Sequence, residues 1–215
     1  MMSIDMKRQQ LLYATATGLS LVVTTLAVVA WGQMSDWHLR GLSVYRVFPL
    51  FGLLAFSWLW AQYIMLAAMH ITTAPKDSLQ RYFRYSGYGV LVMLLLHPSL
   101  LVGKLWQDGF GLPPGSYAHF VAPGMGWVVT VGVLSLLLFL AYEFHRWFSD
   151  RSWWRYIFYL SDLAMLGVLY HGLRLGDELQ HGWYHIVWLV YGVLFVLALL
   201  YIHTRKPQKS EVLVI

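Results

Sequence analysis

The stretch RYSGYGVLVMLLLHPSLLVG (Arg84–Gly103) decides the fold. After the opening arginine no Asp, Glu, Lys or Arg occurs for 19 residues, and Val90–Leu96 is wholly apolar. A helix of this length rises about 30 Å, the thickness of a bilayer's hydrocarbon core. Five further segments have the same character: Leu11–Trp31, Val47–His70, Gly124–His145, Trp154–Leu173 and Trp183–His203. Composition agrees, with 59% hydrophobic and 12% charged residues, about half the charged share of a soluble domain. The sequence therefore predicts an all-α integral membrane bundle of six transmembrane helices, a single domain over 1–215 with its bundle at 11–203. Lys7 and Arg8 precede the first span as in a signal peptide. No small-residue cleavage site follows the apolar core, so this span is expected to remain as a helix.

Orientation follows from the basic residues. Eleven of the fifteen Lys and Arg fall at one set of segment ends: Lys7, Arg8, Lys76, Arg81, Arg84, Arg146, Arg151, Arg155, Arg205, Lys206 and Lys209. The other set holds four: Arg40, Arg46, Lys104 and Arg174. The positive-inside rule then places residues 1–10 and 204–215 in the cytoplasm. Trp31, Trp106, Trp153, Trp154 and Trp183 lie near span ends, where an interfacial aromatic belt belongs. The net charge of +5 is thus a topology signal and carries no implication of nucleic acid. The absence of cysteine excludes disulfides and thiolate-held metal or iron–sulfur centres on this chain. No Gly-rich phosphate turn between strand and helix is present, so no nucleotide domain is encoded. The longest connection, 104–123, is rich in Gly and Pro and reads as an ordered cap or docking loop on the outer side.

Two histidines lie deep within spans. His97 comes 13 residues after Arg84, roughly 20 Å along the helix. His171 comes 16 residues after Arg155 on a helix of the same direction. Both belong to the outer half of the bilayer, at comparable depth. Each alone reads equally well as a ring bonded to a neighbouring helix or a buried water. As a pair on different helices they suit the two axial positions of one haem iron. His185, opening the sixth span, is a third polar group on that side and competes with His171 as second ligand. His38, His119 and His181 fall in outer loops, and His70, His145 and His203 at cytoplasmic helix ends, where imidazole is tolerated. Asp162 sits about two turns into the fifth span, where a carboxylate is costly. It reads either as a proton carrier or quinone partner, or as a carboxyl bonded to an adjacent helix. Glu143 is interfacial, with Arg146 within reach.

The segment Arg81-Tyr82-Phe83-Arg84-Tyr85-Ser86-Gly87 through His97-Pro98 resembles the third helix of ferric-reductase-like transmembrane domains. Trp154-Arg155-Tyr156-Ile157-Phe158 through Tyr170-His171 is similar to the fifth helix of that family, and Phe51–Phe56 to its opening helix. The family includes NADPH oxidases, ferric-chelate reductases and the haem-binding membrane subunit of a bacterial methionine sulfoxide reductase system. The resemblance implies a six-helix bundle carrying haem b, ligated by histidines of the third and fifth helices. Two-haem members carry an outer and an inner pair. His97 and His171 match the outer pair, whereas the inner positions fall on Phe83 and Phe158. One haem is therefore implied, with Arg84 and Arg155 anchoring its helices at the cytoplasmic headgroups. Gly87, Gly89, Gly167 and Gly172 would allow close approach of a macrocycle or a neighbouring helix.

The resulting expectation is a cytochrome of the bacterial inner membrane that moves single electrons. Its donor would be a membrane quinol, or a flavin on a separate flavoprotein reductase; its acceptor would lie outside, as in an oxidoreductase of ferric-reductase type. Two other classes stand beside it: a cofactor-free scaffold or anchor subunit, and a small transporter using Asp162 and the outer histidines as a proton relay.

Overall fold

All six apolar segments form helices. A computed structural model of the chain describes residues 2–38, 40–143 and 154–204. The side chains of Glu143, Trp154, Arg155 and Phe158 lie outside that description, as do His145, Arg146, Arg151, Trp153 and the tail from Arg205. The helices are α1 (Met2–Met34), α2 (Val44–Thr72), α3 (Gln80–Gln107), α4 (Gly126–Glu143), α5 (Trp154–Leu175) and α6 (Trp183–Thr204). No strand occurs among the described residues. The first three helices run beyond their expected spans at both ends, and α4 begins two residues later than expected.

Local chemistry sets the ends. Thr73 adopts a left-handed conformation (φ 50°) and its N–H donates to the His70 carbonyl, closing α2. Pro75 follows and cannot continue the helix. Gly109 (φ 86°) performs the same reversal after α3. Pro98 remains inside α3; lacking an N–H, it leaves the Leu94 carbonyl without its usual helical donor.

Four helices, α1, α2, α3 and α6, are long and apolar enough to cross a membrane. The described part of α4 is shorter, and α5 is interrupted by Asp162, His171 and Arg174. Wide apolar faces point away from the bundle. On α6, Leu189, Val193, Leu197 and Leu200 form one outward stripe, each about half exposed, more contiguous apolar surface than a water-soluble monomer tolerates. Hydroxyls on α1 are silenced within their own helix: Thr15 donates to the Leu11 carbonyl (2.9 Å), Thr17 to Tyr13 (3.0 Å) and Thr25 to Leu21 (2.9 Å). That is how polar side chains are carried in an apolar solvent.

The bundle is built around α2, which packs on α1, α3, α5 and α6. On its α6 side the Phe56 ring stacks on Trp188 at 4.2 Å, and Trp60 on Tyr191 at 4.2 Å. Trp60 Nε1–H donates to the Tyr191 carbonyl (2.8 Å). Towards α1, Trp58 Nε1–H donates to Thr24 Oγ1 (2.8 Å). The helices alternate in direction. The connections 35–43, 108–125 and 176–182 gather at one end, here the upper end, where Trp31 donates to the Arg46 carbonyl (2.6 Å) and Trp183 to Gln33 Oε1 (2.8 Å).

The connection after α3 folds as a cap. Phe120 stacks on Tyr45 (5.8 Å) and meets Phe48 edge-on (5.4 Å). Lys104 pairs with Asp108, which also accepts from Tyr45 Oη (2.7 Å); these two donors hold the Asp108 carboxyl below its ordinary range.

Phe56 is 1% exposed, so Phe56→Ala removes a stacked ring from the α2–α6 seam at a cost of about 3 kcal/mol or more. Thermal unfolding in detergent should show a clear fall in midpoint, while Leu197→Ala, on the outward face, should leave it nearly unchanged.

Candidate functional site: two histidines held by helix carbonyls

His97 lies on α3, facing α2. Its Nδ1–H donates to the Phe48 carbonyl at 2.9 Å. One turn along α2 stands Gly52, where a Cβ would come within 2.8 Å of His97 Cε1 and Nδ1. The ring therefore occupies the volume a side chain would fill, and only glycine permits it. Phe48 packs on the same imidazole with its ring centroid 5.2 Å away, beneath the Phe120 cap.

His171 repeats this setting on the other helical hairpin. Its Nδ1–H donates to the Val128 carbonyl of α4 at 3.0 Å. Gly132, again four residues on, would place a Cβ 2.6 Å from His171 Nδ1. In both hairpins a carbonyl at one position and a glycine one turn later receive a histidine of the next helix. Both carbonyls belong to the first two turns of helices descending from the upper end, which sets the two rings at a similar level.

The geometry fixes the tautomer. With Nδ1 donating to a main-chain carbonyl, Nε2 is left as the lone-pair nitrogen, the arrangement that orients metal-ligating imidazoles. No described residue bonds Nε2 of either ring. Among the described residues α3 packs on α2 and α5 on α4, while α3 and α5 share no extensive contact. Two imidazoles of the same tautomer, on different helices, could each offer Nε2 to a ligand. No group of three or more His, Asp or Glu that could hold a metal ion occurs among the described residues.

The remaining site residues sort differently. His185 is tied into the α5–α6 connection by donation from Nδ1 to the Leu179 carbonyl (2.6 Å). Asp162 does not join the two histidines. It accepts from Tyr63 Oη at Oδ1 (2.9 Å) and meets His203 Nε2 at Oδ2 (2.8 Å), linking α2, α5 and α6 nearer the lower end. His119 stacks on Phe110 in the cap (4.6 Å). Phe83 packs with Tyr82 (5.4 Å), Arg84 is exposed, and the side chains of Arg155 and Phe158 lie outside the described set. Of the four glycines expected to allow close approach, Gly89 faces Trp58, Gly167 faces Ser135 and Gly172 faces Trp188. Gly87 meets nothing within 4 Å. Sequence reasoning missed Gly52 and Gly132, whose signal is a glycine near the upper end of the helix preceding each histidine. It also missed the Asp162–His203 pair and the buried Glu178 in the α5–α6 connection, whose pKa is raised by desolvation.

No protein-family description, no characterised protein and no solved structure matches this chain.

Histidine-labelled NMR in detergent should show the Nδ1–H tautomer for His97 and His171. Gly132→Ala should displace the His171 ring and change that residue's resonances alone, with those of His97 retained.

Proposed function

We propose that this chain is a membrane b-type cytochrome of six spans, with both termini in the cytoplasm, whose single haem is held between His97 and His171. The observation that carries the reading is the duplicated setting of carbonyl, glycine and histidine. One imidazole bonded to a neighbouring helix is ordinary; two in the same local geometry, at one level, with both Nε2 atoms left over, suit a shared ligand. When bound, the haem supplies reversible one-electron carriage.

The chain's own residues do the rest. The Phe48 and Val128 carbonyls hold each ring in the metal-binding tautomer and raise its basicity. Gly52 and Gly132 let the rings seat deeply against α2 and α4. Phe48 and the Phe120 cap shield the His97 side from water, and low polarity there tunes the iron's potential. The upper end is the outer face, by the distribution of basic residues, so the acceptor is an outer-side protein or chelate. Phe83 stands where two-haem relatives of the resembling family carry an inner histidine. The donor is accordingly a lipid-borne quinol or a separate flavoprotein. The bacterial inner membrane is the location that fits such partners.

The test is the reduced-minus-oxidised spectrum of the purified chain, with a pyridine haemochrome to count haem. Low-spin b-type bands at one haem per chain are expected. His97→Ala and His171→Ala should abolish them and His185→Ala should leave them intact. Gly52→Ala and Gly132→Ala, at positions that bind nothing themselves, should weaken haem retention by about tenfold or more. Absence of haem from the wild-type chain, made in cells that supply it, would turn the reading to a cofactor-free scaffold.

A further inference from the structure

The Asp162 cluster is the other place where polar chemistry gathers inside the bundle. Near the lower end, Tyr63 of α2, Asp162 of α5 and His203 of α6 form a chain of hydrogen bonds of 2.9 and 2.8 Å. The Asp162 side chain is 18% exposed and that of His203 42%, so the carboxylate is shielded and the imidazole accessible from the bundle's flank. Tyr159, 57% exposed, sets its ring 5.3 Å from His203 and extends an aromatic shelf beside it. A carboxylate shielded among apolar helices is expensive and marks function more often than packing.

The arrangement is that of a base with an orienting carboxylate. His203 Nε2–H donates to Asp162 Oδ2, Tyr63 fixes the other oxygen, and no described residue bonds His203 Nδ1. A proton arriving at Nδ1 makes an imidazolium that Asp162 stabilises, as the carboxylate does in acid–base triads.

We propose that this cluster is the proton-accepting site for a lipid-borne hydroquinone, the donor to the histidine-held haem; the inference rests on the cytochrome reading above. A hydroquinone becomes a quinone by losing two electrons and two protons. The two electrons would leave one at a time to the haem that His97 and His171 would hold, which would pass each to the outer acceptor before taking the next. The first phenolic proton passes to His203 Nδ1 and then to the aqueous lower face. The second follows the same route once the imidazole is neutral again. Asp162 lies nine residues before His171 on α5, about 13 Å along the helix axis. It faces α2 and α6 where His171 faces α4, so the body of α5 would separate the hydroquinone from the haem. The competing location is a cleft of about 190 Å³ bordered by Tyr13, Ser20, Trp58, Tyr82, Tyr85 and Ser86. It offers hydroxyls, with Ser20 already bonded to Tyr82 (2.8 Å), and no imidazole or carboxylate lines it.

Two measurements on the full chain in lipid nanodiscs test this. In the first, a photoreactive short-tailed azidoquinone is cross-linked and mapped by mass spectrometry, a readout that needs no haem. Labelling at Tyr159 or His203 is expected, and labelling confined to Tyr13 or Tyr85, or spread without preference, would overturn the assignment. In the second, anaerobic stopped-flow follows haem reduction by short-tailed benzoquinol and naphthoquinol. His203→Gln and Asp162→Asn should slow it on the order of a hundredfold, with dithionite reduction, band positions and haem content unchanged and Tyr85→Phe without effect. Equal rates in the variants, or no reduction of wild type by either quinol, would overturn the donor site and leave the cytochrome standing. A chain without haem would remove the cytochrome reading and this proposal together.

Discussion

An imidazole placed in hydrocarbon needs a partner that is always there, and the surest one is the main chain of a neighbouring helix. A lost partner at such depth costs about 1–3 kcal/mol. Reaching a main-chain carbonyl from the next helix requires the ring to enter space that a side chain would ordinarily occupy. This constraint organises the bundle. At His97 and His171 the carbonyl of Phe48 or Val128 is available because Gly52 or Gly132, one turn on, carries nothing beyond Cα. Each histidine thus fixes the packing of one hairpin, α2 with α3 and α4 with α5. The two hairpins then need not pack on each other through those helices.

What holds the hairpins in one body is the opposite side of α2. Its α6 face is aromatic, with Phe56 on Trp188 and Trp60 on Tyr191, and its α1 face uses small residues and the Trp58–Thr24 hydrogen bond. Aromatic stacking provides dispersion and directional preference without depending on water, which suits a seam that the hydrophobic effect does not drive. The division of labour is clear along one helix: glycine faces the histidine, and aromatics face the scaffold.

Much of the fold was legible because long uncharged apolar segments fix helices with little ambiguity. Each apolar segment was found as a helix, with ends within about four residues except at α1, which begins nine residues before the expected Leu11. Helical rise also put His97 and His171 toward the same end of their helices, and both rings bond carbonyls near the upper end of the helix before them. The carbonyl–glycine settings were not legible. They arise from which face of α2 meets α3, and periodicity is uninformative when every face is apolar. For the same reason His203 read as a terminal residue at the headgroups: its contact with Asp162 depends on the lateral position of α6 against α5, about which one sequence is silent. The expected close approaches at Gly89, Gly167 and Gly172 were realised against Trp58, Ser135 and Trp188, whereas Gly87 faces open space.

The proposed reading would divide the bundle between electron chemistry near the upper end and proton chemistry near the lower. Near the upper end the two paired imidazoles each use one nitrogen on a main-chain carbonyl, an acceptor that does not titrate, so their protonation is fixed by structure. Near the lower end His203 is paired with a carboxylate, a partner that responds to charge and stabilises the protonated ring. The same side chain is thus set up in two ways by the group it faces. A carbonyl prepares an imidazole for ligation, and a carboxylate prepares one to receive a proton. Between them α5 supplies one member of each pair, His171 and Asp162, on faces turned to different neighbours. A displacement of that whole helix would therefore disturb both, whereas a change at one of the two residues acts on its own neighbours.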